Sequence, residues 1–300
     1  MNKHISVIGV PMDLGQSRRG VDMGPSAIRY AGVIERLEAL NYDVRDLGDI
    51  QIERRDAQIG DDGNNLRNLE QVTAANDTLA KMIDEQIQSG RFPLILGGDH
   101  SIAIGSLAGV SKHYTNLGVI WFDAHGDLNT QATSPSGNIH GMSLAVSLGF
   151  GHKRLTSILG DKPKIKPENI VIIGVRDLDP GEKVLIREQN IRVYTMHEVD
   201  RLGMPAVMTE AVDYLQKRTD GVHLSLDLDG IDPSEAPGVG TPVIGGLSYR
   251  EGHLAMEMLA EADMITSAEF VEVNPILDEK NKTATVAVAL MGSLFGERLK

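Results

Sequence analysis

Short apolar, β-branched runs recur along the chain: ISVIGV (5–10), FPLILGG (92–98), LGVIWFD (117–123), NIVIIGV (169–175), IRVYTM (191–196), GVHLSLDLD (221–229) and ITSAEFVEV (265–273), with YDVRDLGDI (42–50) as a weaker eighth. Between several of them lie NLEQVTAANDTLAKMIDEQIQ (68–88), PAVMTEAVDYLQKR (205–218) and YREGHLAMEMLAEA (249–262), whose apolar residues return every three or four positions. That spacing is one face of an amphipathic helix, whereas the near-continuous apolar runs suit strands buried on both faces. Strand then helix, repeated about eight times, predicts an α/β protein with a parallel sheet covered by helices on both sides. Met256 and Met258 fall in a helical stretch and read as packing residues. The polar segment RRDAQIGDDGNN (54–65) reads as a surface loop. No repeat or linker argues for a split, so residues 1–300 are expected to form one domain.

Composition narrows the partners. With 300 residues and 41% hydrophobic content, the chain is long enough to bury roughly 75% of its unfolded surface. A net charge of −13 disfavours nucleic acid or an anionic membrane as the main partner and mildly favours a cationic ligand. There is no cysteine, which excludes disulfides, thiolate metal sites and a cysteine nucleophile. Any metal must be held by nitrogen and oxygen. The N-terminal apolar run is too short for a signal sequence and none approaches the ~18 residues of a membrane span. The cytoplasm is the expected compartment.

In open parallel sheets, ligands sit beyond the carboxyl ends of the strands, and the polar clusters of this chain fall there. LILGGDHS brings Asp99 and His100; VIWFDAHGD brings Asp123, His125 and Asp127; HLSLDLDGID brings Asp227, Asp229 and Asp232; SAEFVEVNP brings Glu272 and Asn274. Residues two apart in an extended segment share a side, so Asp123, His125 and Asp127 are expected to converge, as are Asp227 and Asp229. Four carboxylates together in a low-dielectric crevice repel one another and tend to stay protonated. Divalent cations remove that conflict, and with His100 the donor set suits two ions sharing carboxylates; oxygen ligands with imidazole fit manganese well and also admit iron, cobalt, nickel or zinc. Taken singly, Asp99 and Asp232 read as turn or helix-cap residues. His4, His113, His152, His197, His223 and His253 read as surface or satisfied core side chains. GVGTPVIGG (238–246) lacks the residues of a phosphate loop or a dinucleotide fingerprint.

GGDHS (97–101), DAHGD (123–127) and SLDLDGIDP (225–233) resemble the metal-binding signatures of the ureohydrolase family, which holds arginases, agmatinases and their relatives. The resemblance continues, in the family's order, through GVDMGPSAIRYAG (20–32), SGNIHGM (136–142), GVRDLDPGE (174–182), GTPVIGGLSYRE (240–251) and EVNP (272–275). It implies a three-layer α/β/α fold with a mainly parallel sheet of about eight strands. It also implies two manganese ions, one taking His100, Asp123, Asp127 and Asp227, the other Asp123, His125, Asp227 and Asp229. A water shared by such a pair loses its proton near neutral pH and can attack a guanidinium carbon. Asp127 then suits a proton carrier to the departing amine, Glu272 a partner for the guanidinium, and His140 resembles the family's proton-shuttle histidine.

The loop LNTQATSPSGNIHG (128–141) offers uncharged donors, Asn129, Ser134, Ser136 and Asn138, suited to a carboxylate that agmatine lacks. Asn129, Ser134 and Ser136 resemble the positions that read the α-carboxylate of arginine, with Ser134 where threonine is usual. Asp179 and Glu182 match residues near the α-ammonium, and Thr241 one lining the guanidinium end. The implied activity is manganese-dependent hydrolysis of L-arginine to L-ornithine and urea by a homo-oligomer, trimer or hexamer. Two rivals stand beside it. A relative acting on agmatine or another guanidino compound would depend weakly on Asn129 and Ser136. A catalytically silent binding protein would use metal for stability alone and release no urea.

Overall fold

The computed structural model describes residues 3–53 and 66–298; the expected loop at 54–65 lies outside them. All eight expected strands are present: β1 (His4–Gly9), β2 (Asp43–Asp49), β3 (Phe92–Leu96), β4 (Leu117–Phe122), β5 (Ile170–Val175), β6 (Arg192–Thr195), β7 (Gly221–Asp227) and β8 (Ile265–Val271). They form one sheet of order β2-β1-β3-β8-β7-β4-β5-β6, with every neighbouring pair parallel. The chain builds the two wings first and inserts β7 and β8 between them last. The four strands with chemistry at their ends, β3, β8, β7 and β4, thereby become consecutive at the centre.

The longer helices are α1 (Leu69–Gln88), α2 (Ala103–Val110), α3 (Pro180–Gln189), α4 (Met204–Gln216), α5 (Tyr249–Ala262) and α6 (Lys282–Leu294). Alternation along the strands splits the core in two. Ile120 and Phe122, with Leu224 and Leu226, pack on the side of α4, α5 and α6. Val119 and Trp121, with Ile170 and Ile172, pack on the side of α1 and α2. On α1, Val72, Ala75, Leu79, Ala80 and Ile83 are buried, the stripe that the three-to-four spacing predicts. Helix α2 packs closely on it because two positions lack side chains. A Cβ at Gly105 would stand 2.6 Å from the backbone oxygen of Asn76, and one at Gly109 2.6 Å from that of Ala80.

Helix α6, KTATVAVALMGSL, was not marked by periodicity. From Thr283 to Leu294 nearly all of it is buried, and a helix apolar all round shows no amphipathic stripe.

Candidate functional site

Beyond the ends of β4 and β7 the backbone leaves the strand sooner than alternation implies. β4 stops at Phe122, and His125 N donates to Asp123 Oδ1 at 2.7 Å. β7 stops at Asp227, whose Oδ1 accepts from Asp229 N at 2.8 Å. Both are tight turns closed by an Asp side chain two residues back. Asp127 takes a left-handed backbone at φ 51°, a conformation Asp tolerates better than most residues. Local turns, rather than an extended alternation, aim these side chains.

They meet at one point. Nδ1 of His100 lies 3.1 Å from Asp123 Oδ2, 3.0 Å from Asp127 Oδ2 and 3.1 Å from Asp227 Oδ2. Nδ1 of His125 lies 3.1 Å from Asp229 Oδ2 and 3.4 Å from Asp123 Oδ1. Two triads able to hold a cation result, His100 with Asp123 and Asp227, and Asp123 with His125 and Asp229, with Asp123 common to both. The spacing fits: ligands ~2.1 Å from an octahedral cation stand about 3.0 Å apart.

Hydrogen bonding fixes the state of His100. Ser225 Oγ gives its single proton to Glu269 Oε1 at 2.8 Å, so toward His100 Nε2, also 2.8 Å away, it can only accept. Nε2 therefore carries a hydrogen, and a neutral ring would present the lone pair of Nδ1 to three carboxylates. That atom is buried without a hydrogen-bond partner. A lone pair facing three acceptors is stable only around a cation or with a second proton. Register explains the arrangement, since Trp121, Ser225 and Glu269 pair across β4, β7 and β8. Trp121 stacks on the His100 ring at 4.2 Å and donates Nε1 to Asp123 Oδ2 at 3.0 Å.

The electrostatics agree. Burial first, then neighbouring carboxylates, push Asp127, Asp227 and Asp229 above the usual carboxylate range. Burial acts the same way on Asp123, but His100 and His125 outweigh it and hold Asp123 low. Arg176 lies close enough to Asp229, Asp123 and Asp227 to act on them as a positive charge, while its hydrogen bonds go to the backbone. It donates to the backbone oxygens of Asp229, Val243, Gly174 and Gly230.

A cavity of about 120 Å³ opens on this cluster, lined by His125, Asp127, Asp227 and Asp229 together with Asn129, Ser134, Ser136 and Asn138, and by His140, Asp179, Glu182 and Thr241. Ser134 Oγ accepts from Gly137 N at 3.1 Å, and Ser136 Oγ from Asn138 N at 3.2 Å. Glu272, 1% exposed, is not among the lining residues. Its Oε1 accepts from Nδ1 of His140 at 3.2 Å. Burial disfavours a charged His140, yet the hydrogen bond and charge of Glu272 outweigh it and raise its pKa to about 9.

A sequence model of the Arginase family matches residues 3–296. The chain belongs to the arginase family. Arginase of Bacillus caldovelox is 73% identical over 297 residues, 99% of each chain, and its crystal structure superposes with a TM-score of 0.97. Arginase of Bacillus subtilis is 66% identical over the full length of both chains. Proclavaminate amidino hydrolase of Streptomyces clavuligerus, 27% identical, shares the fold at a TM-score of 0.76, over 97% of this chain and 90% of its own. The arginase family's α/β fold is therefore the one the sequence resemblance implied.

Within that family fold, all six residues expected to hold metal come together, and every expected substrate residue except Glu272 lines the cavity. Asp179 and Glu182 have a second task that the sequence reading passed over: they form the capping box of α3. Asp179 also accepts from Asn129 Nδ2 at 2.8 Å, and Glu182 Oε1 from Leu128 N at 3.0 Å. Thr241 donates to Asp229 Oδ2 at 2.9 Å. Asp99 caps the turn that carries His100 and is fully buried. Asp232 accepts the backbone N–H groups of Ser234, Gly245 and Gly246. Of the remaining histidines, His113 pairs with Asp84, His253 with Ser293 and His152 caps a short helix, while His223 is buried against Ser267. Residues the sequence did not single out are Gln16, Trp121, Arg176, Ser225 and Glu269. They act through other side chains or the backbone, and no spacing rule marks such positions.

Proposed function

We propose that this protein hydrolyses L-arginine to L-ornithine and urea with two manganese ions, held by His100, Asp123, Asp127 and Asp227 on one side and Asp123, His125, Asp227 and Asp229 on the other. The observation that carries the reading is that one cavity is lined both by residues of the carboxylate–imidazole cluster and by the neutral donors Asn129, Ser134, Ser136 and Asn138. Bound there, the ions would supply Lewis-acid activation of water at neutral pH.

The chain's own residues do the rest. Ser134 and Ser136 each accept a backbone N–H and their hydroxyl oxygens lie 3.5 Å apart, so one proton can be shared between them while the other is free for the α-carboxylate of the substrate. Asn129 and Asn138 add amide donors. Asp179 and Glu182 offer negative charge to the α-ammonium, and Glu272 with Thr241 receives the guanidinium end. Asp127, whose carboxylate can accept a hydrogen bond from a water at this cluster as well as serve as a ligand, is suited to pass a proton to the departing amine. His140 is protonated at neutral pH, and with Nδ1 tied to Glu272 its Nε2 is the nitrogen left to exchange protons with a bound molecule. The family resemblance supports a homo-oligomer, trimer or hexamer, while the lack of a linker supports a single domain over residues 1–300, the shortness of the N-terminal apolar run a cytoplasmic place, and the net charge of −13 the reading that nucleic acid and membrane are not partners. No helix among the described residues is long and apolar enough to cross a membrane.

Urea release from L-arginine and from agmatine, after chelation and manganese reconstitution, tests the reading. Release from arginine alone is expected; release from agmatine alone would overturn the substrate. Ser136→Ala is expected to raise the KM for L-arginine about fivefold, the cost of ~1 kcal/mol for one hydrogen bond, with kcat nearly unchanged. Unaltered kinetics would return that loop to an ordinary turn.

A further inference from the structure

Three donors converge on the Glu272 carboxylate. His100 N (2.9 Å) and His140 Nδ1 (3.2 Å) meet Oε1, and Gln16 Nε2 meets Oε2 at 2.9 Å. Gln16 lies in the loop after β1 and is 2% exposed. Because a carboxylate only accepts, the amide nitrogen must face it. Gly240 makes room for the pair: a Cβ there would stand 2.8 Å from Gln16 Oε1 and 3.4 Å from Glu272 Oε2. The loop is itself fastened on several sides. Gly15 N donates to Asp99 Oδ2 at 2.8 Å, Gly15 O accepts from His140 N at 3.0 Å, and Arg18 Nη1 donates to Gly240 O at 2.7 Å. Glu272 has a left-handed backbone at φ 66°, a conformation that persists where surrounding contacts over-determine it.

We infer that Gln16 is a positioning residue, which fixes Oε2 of Glu272 so that the carboxylate keeps one edge for a guanidinium. A carboxylate has about four acceptor directions; three are taken here, and the one that Gln16 occupies decides which remains. A neutral amide suits the task, because a lysine or arginine in its place would pair with Glu272 and compete with the substrate cation. The inference rests on the proposed role of Glu272 as the guanidinium partner.

The manganese-loaded protein carrying Gln16→Met, which keeps the length and loses the donor, tests it. Three quantities are read: KM and kcat for L-arginine, the inhibition constant of L-norvaline, which has the α-amino acid end without the guanidinium, and manganese content. Expected are a KM raised about tenfold, as for one hydrogen bond to a charged group, with kcat within about twofold, as for lost uniform binding. Norvaline inhibition and manganese content should stay as in the parent. An unchanged KM would overturn the inference, and so would a rise in which norvaline affinity and manganese content fall together, the mark of general loosening. Gln16→Glu keeps the shape, sets a second carboxylate against Glu272, and should raise KM further; it carries the test if the methionine variant does not fold. Glu272→Gln, run in parallel, separates two failures. If it leaves KM unchanged, the role of Glu272 falls and the inference with it; if it raises KM while Gln16→Met does not, only Gln16 is misassigned.

Discussion

Asp123→Asn is expected to lower urea release from L-arginine by at least ~10³-fold and to reduce the manganese bound per subunit. Asp123 is the residue common to both triads, and asparagine keeps its size while removing the charge and one acceptor oxygen. The two oxygens already have separate tasks: Oδ2 accepts from Trp121 Nε1 and faces His100, while Oδ1 accepts from His125 N and faces the His125 ring. Losing charge stabilisation at such a centre costs several kcal/mol, and each factor of ten is ~1.4 kcal/mol. Metal analysis of the purified variant and a urea assay in excess manganese check this together. Full turnover with a full metal complement would remove Asp123 from the centre of the site.

Stripping the metal is expected to lower the melting temperature by on the order of 10 °C, and the gap should widen between pH 6 and pH 8. A ligand at about a thousand times its Kd stabilises by ~4 kcal/mol, and each kcal/mol is worth roughly 2–4 °C in a chain a little smaller than this. The pH dependence follows from the buried acids. Asp127, Asp227 and Asp229 have folded pKa values above their unfolded ones, so the metal-free fold is most favoured at low pH and loses that advantage as pH rises through the folded values. His100 and His125, also raised once their carboxylate partners outweigh the burial that lowers them, act in the same direction. Asp123, held low, is ionised in both the folded and the unfolded chain across this range and adds nothing to the slope. A bound cation takes over from the protons, and its affinity grows as its ligands deprotonate. Thermal melts with chelator and with manganese across this range measure the gap; coincident melts would show that the cluster contributes nothing to the stability of the fold.

The short β-branched runs marked all eight strands, including the weak one that became β2 at the sheet edge. For the inner strands this follows because strands buried on both faces need continuous apolar sequence, a local property; β2, half-buried to exposed along its length, carries only scattered apolar positions and is correspondingly weak in the sequence. The metal-ligand candidates were legible for a related reason: DAHGD and DLD each fit within one strand end, and so many acids in so small a space have little purpose without a cation. Helix α6 escaped notice because a helix buried all round carries no stripe.

By itself, then, the sequence determined the class of fold, the strand ends that carry chemistry and the donor types available to a metal. The tertiary structure alone decided that β3, β8, β7 and β4 are neighbours, since insertion of β7 and β8 between two finished wings is a matter of packing that no local pattern encodes. It also decided which nitrogen of His100 faces the carboxylates, because that depends on Ser225 and Glu269 from two other strands. Glu272 illustrates the same division. Its identity and place after β8 are local, but its orientation is set by Gln16, 256 residues away, and contacts at that separation exist only once the chain has folded.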